Sequence, residues 1–131
     1  MRGAVSVSVT PVLLGSGSLS IKVAWSLFWR YFLVSNLFDR SVPLHLKLLT
    51  FISARKLSPS LDDRFTFMTL ERFTAEYGDS TYLLIPCTEE FQSFTERNRD
   101  SLENKFIVRS PEQILAQREL FPLVSQHGKD C

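Results

Sequence analysis

Short apolar runs alternate along the chain with segments in which apolar residues recur every three or four positions. This arrangement predicts strands and helices in turn. Short apolar runs with little polar character predict buried strands at residues 10–14, 33–38, 81–86 and 105–109. Apolar positions three and four residues apart predict helices at residues 20–33 and 67–77, and from residues 88 and 110 onward. The apolar residues within 44–63 follow neither pattern, and the structure of this region is not assigned from the sequence.

Strands and helices therefore alternate over most of the chain. Alternation of this kind is typical of a mainly parallel sheet that carries helices on both faces. The sequence predicts a three-layer, Rossmann-like α/β fold, and a length of 131 residues predicts one domain spanning residues 1–131.

Local signals mark several helix ends. Gly78 is placed to stop a helix, and Thr88 is placed to cap the next one. Ser110 and Gln113 have the spacing of a capping box, with Pro111 at the first helical position.

The first predicted helix is unusually apolar. Its polar residues Lys22, Ser26 and Arg30 form one narrow stripe, and almost every other position is apolar. This pattern predicts a helix that is buried on most sides. Arg30 also interrupts the most apolar stretch of the chain, residues 23–38, which disfavours a membrane span.

Composition and charge narrow the possible functions. A net charge of +1 gives no electrostatic reason to expect nucleic acid or an anionic membrane as a partner. The two cysteines, Cys87 and Cys131, form no disulfide framework and no metal-ligand motif, so a reducing, cytoplasmic location is expected. Alternating valines and polar residues near the N-terminus favour a strand over a signal peptide.

Ligands of such a sheet bind beyond the carboxyl ends of its strands. The candidate binding residues of this chain are those that follow its predicted strands. They are Gly15, Ser16, Gly17, Ser18, Asp39, Cys87 and Thr88.

Gly15, Gly17 and Asp39 match part of a dinucleotide fingerprint, Gly-x-Gly-x-x-Gly with an acid about 20 residues on. The third glycine is missing, because Ser20 stands in its place. Three readings stay open: a tight turn without a ligand, a site for a small anion or nucleotide-derived ligand, and a dinucleotide site.

Cys87 lies between a predicted strand and a predicted helix, where a thiolate can be stabilised. The alternative is a small buried residue. No residue is predicted to be catalytic, and no metal site is predicted.

One stretch carries a family resemblance. The segment TYLLIPCTEEFQSFTERNRDSL, followed by KFIVRSPEQILAQRELFPLVSQHG, resembles the N-terminal pre-ATP-grasp domain of ATP-grasp carboxylate–amine ligases. The likeness is strongest to the group that contains D-aspartate ligase. The segment VTPVLLGSGSLSIKVAWSLFWRY is similar to the first strand, glycine turn and helix of that group. Where the group often has a lysine in the last helix, this chain has Arg118.

The resemblance implies a function. Enzymes of this family use ATP and Mg²⁺ to convert a carboxylate into an acyl phosphate, which an amine then attacks. Their first domain forms one wall of the substrate cleft, and a separate ATP-grasp domain holds ATP. The chain is thus expected to be a fragment or a non-catalytic partner that binds no cofactor alone. Its expected partners are that domain, in cis or in trans, and a small carboxylate or amine.

Two further possibilities follow from the residues themselves. One is a stand-alone nucleotide-binding module built on the glycine turn. The other is a non-catalytic interaction domain, whose exposed apolar surface would favour self-association.

Overall fold

The structure is a computed structural model that describes residues 9–57 and 62–116. Five strands and six helices alternate along these residues. The strands are β1 (Val9–Leu14), β2 (Ser35–Asp39), β3 (Ile52–Lys56), β4 (Thr81–Pro86) and β5 (Phe106–Val108). The helices are α1 (Ser18–Tyr31), α2 (Leu44–Lys47), α3 (Asp63–Tyr77), α4 (Glu89–Arg97), α5 (Arg99–Leu102) and α6 (Pro111–Ala116).

All five strands are parallel and form one sheet in the order β3-β2-β1-β4-β5. The first three strands extend the sheet in one direction. Helix α3 then carries the chain back across the sheet, so that β4 pairs with the other side of β1. This is the three-layer, Rossmann-like α/β fold predicted from the sequence. The reversal of strand order between β1 and β4 creates a crevice at their carboxyl ends.

Each face of the sheet has its own hydrophobic core. Side chains alternate between the faces along a strand, so Val12 and Leu14 face one core and Leu13 the other. The first core includes Leu70 of α3 and Phe91 of α4. The second contains residues of α1, α2 and α6. Because both faces are covered, β1 and β4 are almost wholly buried, as expected for central parallel strands.

The sequence signals for the start of α6 are confirmed. The Ser110 hydroxyl accepts a hydrogen bond from the Gln113 amide at 3.1 Å. The Gln113 side chain accepts one from the Ser110 amide at 2.8 Å. Pro111 is the first helical residue, where its missing amide hydrogen costs nothing.

The prediction that α1 is buried on most sides is wrong. Only Ser20, Val23, Ala24 and Leu27 are buried, on the face that meets the sheet. Trp29 is 72% exposed, and Phe32, just after the helix, is 82% exposed. The sheet covers one side of a helix, and among the described residues no further layer covers the opposite side.

The region that was not assigned contains regular structure. The single turn of α2 is followed by β3, which lies at an edge of the sheet beside β2. An edge strand is half exposed and often carries charge, which explains the lack of a clear apolar period. Among the described residues, no helix combines the length and the apolar character that crossing a membrane requires.

A carboxylate at the start of α3 joins this helix to the end of α4. Asp63 accepts hydrogen bonds from the Arg97 guanidinium at 2.8 and 2.9 Å and from the Asn98 amide group at 2.9 Å. The bond from Arg97 is the largest cause of a lowered pKa at Asp63, with the Asn98 bond and the positive charge of Arg97 adding to it. Burial opposes this shift.

This carboxylate predicts a small acid-dependent loss of stability. The folded-state pKa of Asp63 lies below its ordinary value of 3.8, so the stabilisation is present above that value. It disappears as the pH falls through the lowered pKa. Chemical denaturation of an Asp63→Asn variant between pH 6 and pH 2.5 tests this. The variant should lose less stability on acidification than the wild type, and equal losses would show that the ion pair contributes nothing.

Candidate functional site

The crevice at the carboxyl ends of β1 and β4 brings three loops together. Backbone hydrogen bonds continue beyond the strand ends, from the Gly15 amide to the Phe38 carbonyl and from the Cys87 amide to the Leu14 carbonyl, both at 2.8 Å. The loops that follow β1, β2 and β4 therefore start side by side. Every candidate residue from Gly15 to Thr88 lies in one of these loops or at a strand end that leads into it, except Ser18, which is the first residue of α1.

Gly15 and Thr88 are in close contact across the crevice. The φ angle of Gly15 is +97°, a backbone conformation that residues with a side chain rarely adopt. A Cβ atom on Gly15 would lie only 2.5 Å from Cγ2 and 2.6 Å from Oγ1 of Thr88. The glycine is required both by its backbone angle and by this contact.

The Thr88 side chain does not act as the predicted cap. Thr88 occupies the N-cap position of α4, but its side chain makes no capping hydrogen bond. Its hydroxyl oxygen is buried and has no hydrogen-bond partner among the described residues. The side chain packs on Gly15 instead, which explains why the cap bond is missing. A buried hydroxyl without a protein partner is rare and costly, and either an ordered water or a ligand would satisfy it.

The turn after β1 is tied to the end of β2. The Asp39 carboxylate accepts hydrogen bonds from the Ser16 amide at 2.7 Å and from the Ser16 hydroxyl at 2.6 Å. Its other oxygen accepts one from the Arg40 amide at 2.7 Å. The structure thus brings Asp39 to the glycine turn. Both carboxylate oxygens are already bound to the chain, although a dinucleotide site needs this acid for ribose hydroxyls.

Ser20 replaces the missing third glycine and is fully buried. Its hydroxyl accepts a hydrogen bond from the Gly17 amide at 2.9 Å and donates one to the Gly17 carbonyl at 2.7 Å. A serine is small enough for the close contact between helix and sheet, and its hydroxyl closes the turn.

The N-terminus of α1 is open to solvent. Gly17 and Ser18 are exposed, and the amides of Ser18 and Leu19 make no hydrogen bond with the described residues, whereas Ser20 is buried. Amides at the start of a helix point along its axis and carry partial positive charge, so they suit a carboxylate or a phosphate.

Arg40 joins the loop after β2 to the start of α4. Its guanidinium makes an ion pair with Glu90 in the first turn of α4 and lies 5.3 Å from the centre of the Phe91 ring. Arg40 was not among the candidate residues predicted from the sequence. Its position directly after Asp39, which ends β2, could have indicated it.

Cys87 is a buried thiol. Its Sγ donates to the Ile85 carbonyl at 3.6 Å, and the residue belongs to the core between the sheet and α1. Desolvation by burial, followed by the negative charge of Glu112, raises the pKa of Cys87 to about 12. The group is therefore a neutral thiol at physiological pH, and the reading as a small buried residue is the one that the structure supports.

This burial predicts an unreactive cysteine. In a Cys131→Ser variant, Cys87 is the one remaining thiol of the sequence. Ellman's reagent at pH 8 should modify it at least about a hundred times more slowly in the folded protein than in denaturant, because both access and ionisation are suppressed. Modification at the rate of an exposed thiol would contradict the burial described above.

The remaining candidates contribute less. Arg118 lies outside the described residues. Within the described residues no group of three or more histidine, cysteine, aspartate or glutamate side chains is arranged to hold a metal ion. The site is thus a polar crevice built from main-chain amides, serine and threonine hydroxyls and one carboxylate.

No protein-family model matches the chain, and the search of curated proteins finds no match. The resemblance to ligase domains therefore rests on the residue pattern of the chain alone.

Proposed function

We propose that this domain forms the substrate-side wall of an ATP-dependent carboxylate–amine ligase and is inactive by itself. The observation that carries the proposal is the crevice between β1 and β4. It combines the open N-terminus of α1 with the buried, unpartnered hydroxyl of Thr88. These groups bind and orient a ligand, but they include no activated nucleophile and no general base.

The crevice suits a small carboxylate better than a dinucleotide. The amides of Ser18 and Leu19 at the start of α1 supply donors for one carboxylate group. The Asp39 carboxylate, which a dinucleotide would use, already accepts three hydrogen bonds from Ser16 and Arg40 and has little capacity left for two ribose hydroxyls. The resemblance adds the reaction: the second domain of such a ligase brings ATP and Mg²⁺, and this domain holds the substrate in place.

Calorimetric titration of the full chain tests this proposal. D-aspartate, L-aspartate and glycine are the probes, with ATP and Mg²⁺ in a parallel experiment. We expect millimolar binding of a carboxylate ligand and no ATP turnover. ATP hydrolysis by the chain alone would contradict the proposal. Binding of nucleotides without binding of carboxylates would favour a stand-alone nucleotide module instead.

Thr88→Val is the matched variant for this titration, because valine keeps the shape of threonine and removes the hydroxyl. Stability should be unchanged or higher by about 1 kcal/mol, since a buried hydroxyl without a partner is lost. Carboxylate affinity should fall about tenfold if the hydroxyl donates to the ligand. If the folded variant binds the carboxylate with unchanged affinity, Thr88 does not contact the ligand.

A second candidate function, an interaction domain, is favoured by the exposed aromatic residues of α1. Trp25, Trp29, Phe28 and Phe32 form a contiguous aromatic face, with ring centroids 5.9 to 6.3 Å apart. Helix α1 starts at the carboxyl ends of the strands. Its last turn and Phe32 therefore lie at the amino ends of the strands, away from the crevice. A partner on this face would leave the crevice open.

Phe32 is also strained. Its φ of 59° places it in the left-handed region, which costs a bulky residue about 1–2 kcal/mol. Phe32→Gly is therefore expected to raise the free energy of unfolding by about 1 kcal/mol, measured by chemical denaturation. If the aromatic face mediates self-association, the same variant should also lower the mass measured by light scattering. A wild-type chain that stays monomeric at high concentration would count against this function.

A further inference from the structure

A second site lies at the open edge of the sheet, separate from the crevice. A cavity of about 610 Å³ is bounded by the loop after β2, by α2 and by the edge strand β3. We call it the basic pocket. Its charged lining residues are Arg40, Lys47, Arg55 and Lys56.

The basic pocket concentrates positive charge. Four cationic residues and no aspartate or glutamate line it among the described residues, although the whole chain carries a net charge of only +1. The guanidinium groups of Arg40 and Arg55 pack on Phe91 and Phe73, at the other face of the sheet, so the positive charge of the pocket comes from Lys47 and Lys56. Local charge of this kind is costly unless a ligand or solvent compensates it, and it attracts anions.

Two of the four cations are held in position by neighbouring groups. The Arg55 side chain donates to the side-chain oxygen Oδ1 of Asn36 at 3.3 Å and stacks 4.8 Å from the centre of the Phe73 ring. Arg40 is held by Glu90. The Lys47 and Lys56 ammonium groups, in contrast, have no hydrogen bond or ion pair with the described part of the chain. They are available to a ligand.

The backbone of β3 adds neutral donors. The amide of Leu57 donates to the Asp39 carbonyl at 2.8 Å, and the amide of Ser35 donates to the Phe51 carbonyl at 3.1 Å. In a parallel ladder, alternate residues of a strand bond to the same neighbour. The amides of Ala54 and Lys56 therefore point away from β2, toward the unpaired edge. An edge amide beside two lysines is a favourable donor for an anion.

We propose that the basic pocket binds a small organic phosphate. A cavity of this size falls in the range of roughly 300–1,000 Å³ that is typical of small-molecule sites. Arginine, lysine and main-chain amides are the usual partners of phosphate oxygens. Val42, Ile52 and Ala54 supply an apolar part of the lining for the organic portion of the ligand. The inference does not depend on the proposed ligase function, since its ligand contacts are Lys47, Lys56 and the free edge of β3, none of which belongs to the crevice.

Calorimetry at low ionic strength tests the proposal with AMP, inorganic phosphate and adenosine. AMP should bind, inorganic phosphate should bind more weakly, and adenosine should not bind. The double variant Lys47→Gln/Lys56→Gln should lower AMP affinity by about tenfold or more, because two charge-assisted contacts are lost. The matched control is Lys22→Gln/Lys105→Gln, which removes two exposed lysines outside the pocket and should leave affinity unchanged.

Several outcomes would overturn the proposal. They are no AMP binding at millimolar concentration, equal loss of affinity in the control variant, and AMP binding no tighter than that of phosphate. Circular dichroism melting of both double variants confirms that they are folded. Carboxylate binding at the crevice should survive in the Lys47→Gln/Lys56→Gln variant, so failure of one proposal is distinguishable from failure of the other.

Discussion

Replacing Gly15 with alanine is expected to destabilise the fold by about 3 kcal/mol, since forbidden backbone angles and overpacking each cost about 1–3 kcal/mol. Both effects apply here, because φ is +97° and the new Cβ would lie 2.5 Å from Thr88 Cγ2. For a domain of this length the expected fall in melting temperature is about 10 °C. Thermal and urea denaturation measure it.

The matched control is Gly17→Ala, two residues further along the same turn. Gly17 has an extended backbone with φ of 165°, and a Cβ added there meets nothing within 4 Å. Its substitution should change stability by less than about 1 kcal/mol. A double variant, Gly15→Ala with Thr88→Ala, should recover part of the loss. Equal effects at Gly15 and Gly17 would contradict the contact between the turn and Thr88.

Replacing Asp39 with alanine is the second large effect, expected to cost about 3 kcal/mol because hydrogen bonds to a charged group contribute about 1.5–3 kcal/mol each. The Ser16 amide, the Ser16 hydroxyl and the Arg40 amide would all lose their acceptor. Water replaces part of this loss, since these residues are only partly buried. Urea denaturation at pH 7 measures the change.

Two further substitutions bracket this prediction. Asp39→Asn keeps one acceptor but places an amide donor against the donors of Ser16 or Arg40, so its cost should be intermediate. Asp79→Ala removes an exposed carboxylate without such bonds and should be nearly neutral. An equally small loss of stability in Asp39→Ala and Asp79→Ala would show that the Asp39 carboxylate does not hold the turn. The carboxylate would then be available to a dinucleotide.

The part of the fold that the sequence predicted is the part with strong local signals. The glycine turn, the uncharged strand β4 and the capping box at Ser110 each combine composition with a fixed spacing, so they point to one structure. That Asp39 and the glycine turn lie at the same end of the sheet also followed from the sequence, because parallel strands place their carboxyl ends together. The hydrogen bonds from Ser16 to Asp39 were not predicted.

The features that were missed depend on tertiary contacts. Among the described residues strand β3 pairs on one side alone, and its sequence, Ile-Ser-Ala-Arg-Lys, shows no regular alternation of apolar and charged residues. The basic pocket joins Arg40, Lys47 and Lys56, which are close only because β3 lies beside β2. The exposure of Trp29 was missed for a related reason: an apolar side chain in a helix does not reveal whether a second layer covers it.

The binding of a carboxylate at the crevice is tested most directly by amide-resolved NMR of the full chain during titration with D- and L-aspartate. The account predicts that the amides of residues 16–20 and of Thr88 shift together and saturate with one millimolar dissociation constant. The amides of Lys47 and Lys56 should stay in place. Shifts confined to the basic pocket, or no shift at the α1 N-terminus with ligand at tens of millimolar, would contradict a substrate site at the carboxyl ends of β1 and β4.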